Sequence, residues 1–113
     1  MSAEPALSWS TEPFGAALRL ALSARRMSFR DLESRSLVPV GNLHDHVSGK
    51  RGVPGDDLLR RIAAGVRVEP EYFREWRERR LIEGLRRVPQ LELELSRRLV
   101  EGRLGGAVAR ASD

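Results

Sequence analysis

The run from Ser28 to Arg51, SFRDLESRSLVPVGNLHDHVSGKR, constrains this chain more than any other stretch. It reads as two short helices joined by a tight bend and closed by a basic glycine corner. Ser28 can cap a helix start, because its hydroxyl can accept an orphan backbone N–H, and Asp31 supplies the acidic first turn. Leu32 is the buried candidate of that helix, and Leu37 and Val38 stand at the bend. Pro39 pre-sets the backbone for a second helix. Leu43 and Val47, four apart, give that second helix an apolar side. Val40, Gly41, His44, Asp45 and Ser48 form its other side, with Asn42 nearer the shoulder. Gly49 stops it, and Lys50 and Arg51 follow at once.

Helical signals continue on both sides of this run. Residues 1–11 lack periodicity and read as a flexible arm, with Trp9 expected to fold back onto the core. Thr11 is a good N-cap, with Pro13 in the first turn of a helix ending near Arg26. Phe14, Ala17, Leu18, Ala21 and Leu22 recur on one side of that helix, and Arg19, Arg25 and Arg26 fall outside the stripe. GKRGVPG (49–55) is a loop by composition. Asp56 and Asp57 open a fourth helix with Leu58, Leu59, Ile62, Ala63 and Val66 on its apolar face. Glu69-Pro70-Glu71 signals a fifth start, followed by Tyr72, Phe73 and Trp76 as a lid on the core. Leu81, Leu85 and Val88 extend a stripe that Pro89 breaks. Leu91, Leu95 and Leu99 then recur every four residues, which favours a further helix over a short strand at LELEL.

Residues 13–76 resemble the lambda-repressor-like helix-turn-helix domain of the Cro and phage-repressor type. The resemblance is carried by ALRLALSARR, by S-x-x-x-L at Ser28, by VPVGNL at the turn, by S-G-K-R after the third helix and by RIAAGVRVEPEYF. LHDHVSGKR is similar to the actinobacterial branch. The resemblance implies an all-α fold: a five-helix bundle with an extra C-terminal helix. The implied layout is an arm at 1–11, the DNA-binding domain at 12–80, a helical extension and candidate dimerisation segment at 81–104 and a disordered tail at 105–113. It also implies that the third helix reads the major groove. His44 would donate to guanine, Asp45 would accept from cytosine and Val40 would meet a thymine methyl, with Gly41, Asn42 and Ser48 beside them. Ser28, Arg30, Lys50 and Arg51 would bind phosphates.

Several positions depart from the family pattern. Glu33 stands where the family has Ala, and Leu37 where it has Gly at the bend. A non-glycine residue in the left-handed conformation costs about 1–2 kcal/mol, so a re-formed bend is expected. His46 replaces an aliphatic residue and reads as a hydrogen-bonded, semi-core side chain. Gly65 and Arg67 exchange the usual Ala and Gly. No Arg, Gln or Lys lies on the reading face, so specific affinity is expected to be modest or to draw on the arm and the shape of the DNA.

Composition narrows the function classes. With no cysteine, disulfides and thiolate metal sites are excluded. His44 and His46 point about 200° apart on a helix and cannot share an ion. No metal or cofactor is therefore expected, no small-molecule ligand is evident, and an enzyme is not expected. The net charge of +4 sits unevenly. Residues 13–54 hold six Arg and Lys50 against Asp31, Glu33 and Asp45, as a phosphate-binding surface needs. Further on, Glu71, Glu75, Glu78 and Glu83 interleave with Arg74, Arg77, Arg79 and Arg80, which argues against a membrane surface. No apolar run approaches a membrane span, and a soluble, cytoplasmic protein is expected. The expected partners are double-stranded DNA and a second copy of the chain. The alternative is the same fold used as a protein-interaction module, antitoxin-like or adaptor, with the C-terminal stripe as its surface.

Overall fold

The computed structural model describes residues 4–102. Among them there are six α-helices, one 3-10 turn and no strand: α1 Phe14–Arg25, α2 Phe29–Ser36, α3 Val40–Ser48, α4 Asp56–Gly65, the turn Pro70–Tyr72, α5 Arg74–Arg87 and α6 Pro89–Val100. The chain divides into two compact units, with the division after Glu78, inside α5. The expected tail at 105–113 and the last two residues of the expected extension lie outside the described residues. No helix among those described is long and apolar enough to cross a membrane.

The first unit holds the core. Phe14, Leu18 and Leu22 of α1 pack with Leu32, Leu43, Leu59, Ile62, Val66, Tyr72, Phe73 and Trp76, all buried. The Phe14 and Phe73 rings lie 4.9 Å apart between centroids, a contact that adds to their burial. Two glycines let helices approach closely. A Cβ on Gly15 would overlap the Val47 backbone carbonyl, so α1 and α3 touch backbone to backbone. A Cβ on Gly65 would lie 2.8 Å from Leu32 Cδ1 and 3.2 Å from Ser36 Cβ, which is where α4 meets α2.

The start of α1 differs from expectation. Thr11 does not cap it; Pro13 holds the N-cap position, which has no side-chain hydrogen bond. Instead the Phe14 N–H donates to Glu75 Oε2 at 2.9 Å, across 61 residues of sequence. The fifth helix also begins later than Glu69-Pro70-Glu71 suggests. Those residues form a 3-10 turn that ends at Phe73, which is extended at φ −86° and ψ 128°. The kink lets the adjacent Tyr72 and Phe73 both be buried, and Tyr72 Oη donates to the Ala17 carbonyl at 2.6 Å. Burial pushes the Tyr72 phenol above its ordinary value.

The described part of the arm is tied to this unit. Glu4 makes a two-pronged pair with Arg67 (2.6 and 2.7 Å) and lies 3.6 Å from Arg25. The Ser10 N–H donates to the Tyr72 carbonyl at 2.9 Å. Trp9, expected to fold onto the core, is 58% exposed, with the Arg77 guanidinium 5.5 Å above its ring.

The second unit has a different construction. Among its described residues none is buried; Leu81, Ile82, Leu91, Leu93 and Leu99 are exposed, and Leu85 and Leu95 are half-buried. Pro89 starts α6, where its missing N–H costs nothing. LELEL is helical, as its continuation suggested. Ion pairs one turn apart line the surface: Arg87 with Glu83 at 2.9 Å and Arg98 with Glu94 at 3.0 Å. Each is worth a few tenths of a kcal/mol, roughly.

Candidate nucleic-acid interface

The bend between α2 and α3 is built by side chains that no local pattern announces. Ser28 caps the start of α2 as expected, accepting the Asp31 N–H on Oγ (3.1 Å), and Asp31 returns the bond by accepting the Ser28 N–H on Oδ2 (2.8 Å). The Ser28 backbone N–H holds the Asp31 carboxyl below its ordinary value. At the other end the bend is not re-formed. Leu37 takes the left-handed conformation itself, at φ 61° and ψ 25°. Its strain is offset by the bonds around it. Arg61 of α4 donates to the Ser36 carbonyl at 2.9 and 3.1 Å and to the Leu37 carbonyl at 3.0 Å. These bonds satisfy carbonyls that the end of α2 leaves without helical partners. Ser36 Oγ, buried, donates to the Leu32 carbonyl and accepts the Val38 N–H.

Glu33 then has a clear role. Its Oε2 accepts the Val40 N–H at 2.8 Å, capping α3 from seven residues upstream. Pro39, at the N-cap position, brings no side-chain bond of its own. The α3 N-terminus is thus occupied by an internal carboxylate.

α3 buries only Leu43. Gly41, His44 and Ser48 are exposed; Val40, Asn42 and Asp45 are half-buried. Gly41 has open space where a Cβ would stand. His44 is packed against Phe29 of α2, with centroids 4.3 Å apart, and Arg19 of α1 lies 5.7 Å from the same Phe29 ring. Sequence reasoning missed both Arg19 and Phe29. They are separated from His44 by 25 and 15 positions, and no motif links them.

The corner after α3 is folded back on the helix. The Arg51 N–H donates to the Asp45 carbonyl (3.2 Å), and the Gly52 N–H to the Gly49 carbonyl (3.2 Å). Ser48 Oγ bonds the Asp45 carbonyl and the Lys50 N–H. His46, half-buried, has Nδ1 2.9 Å from the Gly52 carbonyl. The imidazole thus tethers the loop to α3. Gly49 and Gly52 take positive φ, which costs glycine little. Two predicted contact residues, Asp45 and Arg51, pair with each other: Arg51 Nε donates to Asp45 Oδ2 at 3.2 Å. Arg30 and Lys50 are exposed.

The structure thus brings Val40, Gly41, Asn42, His44, Asp45, Ser48, Lys50 and Arg51 together on α3 and its corner, and it leaves Ser28 and Arg30 on the first turn of α2. Among the described residues no group of three or more His, Asp or Glu could hold a metal ion. Compared with known protein families, curated proteins and solved structures, the chain matches none.

Proposed function

We propose that this chain is a lambda-repressor-like helix-turn-helix regulator that binds double-stranded DNA as a homodimer. α3 lies in the major groove and α2 crosses the backbone. The observation that carries the reading is the two-sided build of α3. Its inner side is fixed by Leu43 and its outer side runs into a corner of two basic residues that is hydrogen-bonded back onto the helix. The positive excess of residues 13–54 supports it, since phosphate attraction supplies most non-specific affinity. Two protomers would read half-sites about 34 Å apart. The leucines of α5 and α6 form the self-association surface.

The exposed leucines also favour a second reading, a protein-interaction module of the same fold. Two double variants separate them, Lys50→Ala/Arg51→Ala and Leu95→Ala/Leu99→Ala, both measured for duplex binding by fluorescence anisotropy at low salt. The regulator reading predicts at least a roughly tenfold loss for the basic pair. Unchanged duplex binding by the basic variant, with function abolished only by the leucine variant, would favour the interaction module.

A further inference from the structure

The outer side of α3 itself carries no Arg, Lys or Gln. The corner supplies what it lacks. We infer that Arg51, held by Asp45, is the guanine-reading side chain of this surface, and that Asp45 is its positioning residue and makes no base contact. The inference rests on the DNA-binding reading and deepens it.

Arg51 is tied to one residue of α3 at two points. Its backbone N–H reaches the Asp45 carbonyl at 3.2 Å, and its Nε reaches the Asp45 carboxylate at 3.2 Å. A guanidinium has five donors in a planar fork. Engaging Nε leaves both terminal nitrogens, and no hydrogen bond among the described residues reaches them. Two parallel N–H donors in one plane are the geometry that matches guanine O6 and N7. The side chain is 54% exposed, so the fork is in reach of a ligand. Lys50, next door, has no such restraint on its ammonium group and suits a phosphate, for which direction matters little. The pair also resolves a difficulty with Asp45, whose carboxylate alone would repel the backbone of DNA. Beside Arg51 its charge is balanced, and without it Arg51 is free to swing to the nearest phosphate.

The expected signs are therefore opposite for preference and for bulk affinity. The full-length chain is used to select from a library of randomised duplexes at low salt, and binding is then measured to the selected duplex and to the same duplex with one guanine changed to adenine. Wild type is expected to prefer one guanine per half-site by about ten- to a hundredfold. Arg51→Lys keeps the charge and loses the fork; its loss of that preference should exceed any loss of affinity for random duplex. Asp45→Asn should also lose the preference and bind random duplex a few-fold more tightly, with Asp45→Glu restoring part of it. Arg51 is exposed and Asp45 half-buried, and an unchanged melting temperature confirms the fold. If the Arg51 or Asp45 variants keep every base preference of wild type, the inference is overturned while DNA binding stands. Wild type that binds all duplexes equally overturns it as well. Absence of any duplex binding at low salt overturns the regulator reading itself.

Discussion

Residues 4–78 and residues 79–102 are both rich in leucine and arginine, and both are helical, but they spend these residues differently. In the first unit the apolar stripes meet in one core, and four arginines are joints. Arg61 closes the end of α2, Arg67 and Arg25 hold Glu4, and Arg77 donates to the Ser10, Glu71 and Tyr72 carbonyls. In the second unit Arg80, Arg87, Arg97 and Arg98 pair about one turn away on their own helix, and Leu81, Leu91, Leu93 and Leu99 stay exposed. Local ion pairs are enough to shape a helix, but they bury nothing. A unit this small has too little interior to be stable through burial alone. The difference teaches that helical periodicity marks a face, while only convergence of several faces makes a core.

The comparison is broken most directly by truncation. Phe73→Ala removes a fully buried ring and should cost about 3–5 kcal/mol of stability, measured by denaturant unfolding. Leu99→Ala, at an exposed site, should change monomer stability by less than about 0.5 kcal/mol in dilute solution. Equal costs would mean that the two units are not built differently.

Glycine exchange gives opposite signs in the two units. Gly15→Ala places a methyl against the Val47 backbone carbonyl and should lose about 1–3 kcal/mol. Gly84→Ala, in α5 with open space around it, should gain roughly 0.5–1 kcal/mol from helix propensity. A gain at both sites would show that α1 and α3 do not touch as described.

Leu37→Gly sharpens the account of the bend. The side chain is 75% exposed, so little burial is lost, and the left-handed backbone is relieved. A strain of about 1–2 kcal/mol less the flexibility of glycine leaves a gain of roughly 0.5–1 kcal/mol in thermal unfolding. A loss would mean that Leu37 makes contacts beyond those of the bend.

The smallest effect concerns acid. The Asp31 carboxyl is lowered from 3.8 by the Ser28 backbone N–H. Its contribution is then full above that value and is lost as pH falls through the lower, folded one. Asp31→Asn should flatten this part of the acid limb of stability, and an unchanged limb would remove the capping box from the account.

Much of the first unit was legible in the residues. The stripe of α1, the Ser28–Asp31 cap, the Gly49 stop and the GKRGVPG loop are local signals, and local hydrogen bonding and burial decide them. What was not legible depends on long-range partners. Thr11 looked like a cap because nothing nearby could reveal Glu75. Glu33, Leu37 and His46 looked like departures from a pattern, but each has its reason across the bend or the corner: a carboxylate on the α3 N-terminus, a strained turn held by Arg61, an imidazole on the Gly52 carbonyl. Trp9 was misjudged from its general tendency to be buried; here a guanidinium covers one face of its ring and the rest meets solvent. For the candidate interface, the residues on α3 could be named from spacing, but the pairing of Asp45 with Arg51 could not.

The central claim is that the α2–α3 surface binds the DNA backbone through a small number of exposed cations. It is tested by titrating salt against affinity for a random-sequence duplex. Arg30 and Lys50 on each protomer predict a log–log slope of about −2 for a bound monomer and about −4 for a dimer. A slope near zero, or no binding at about 50 mM salt, would contradict the account and leave the leucines of α5 and α6 as the surface to explain.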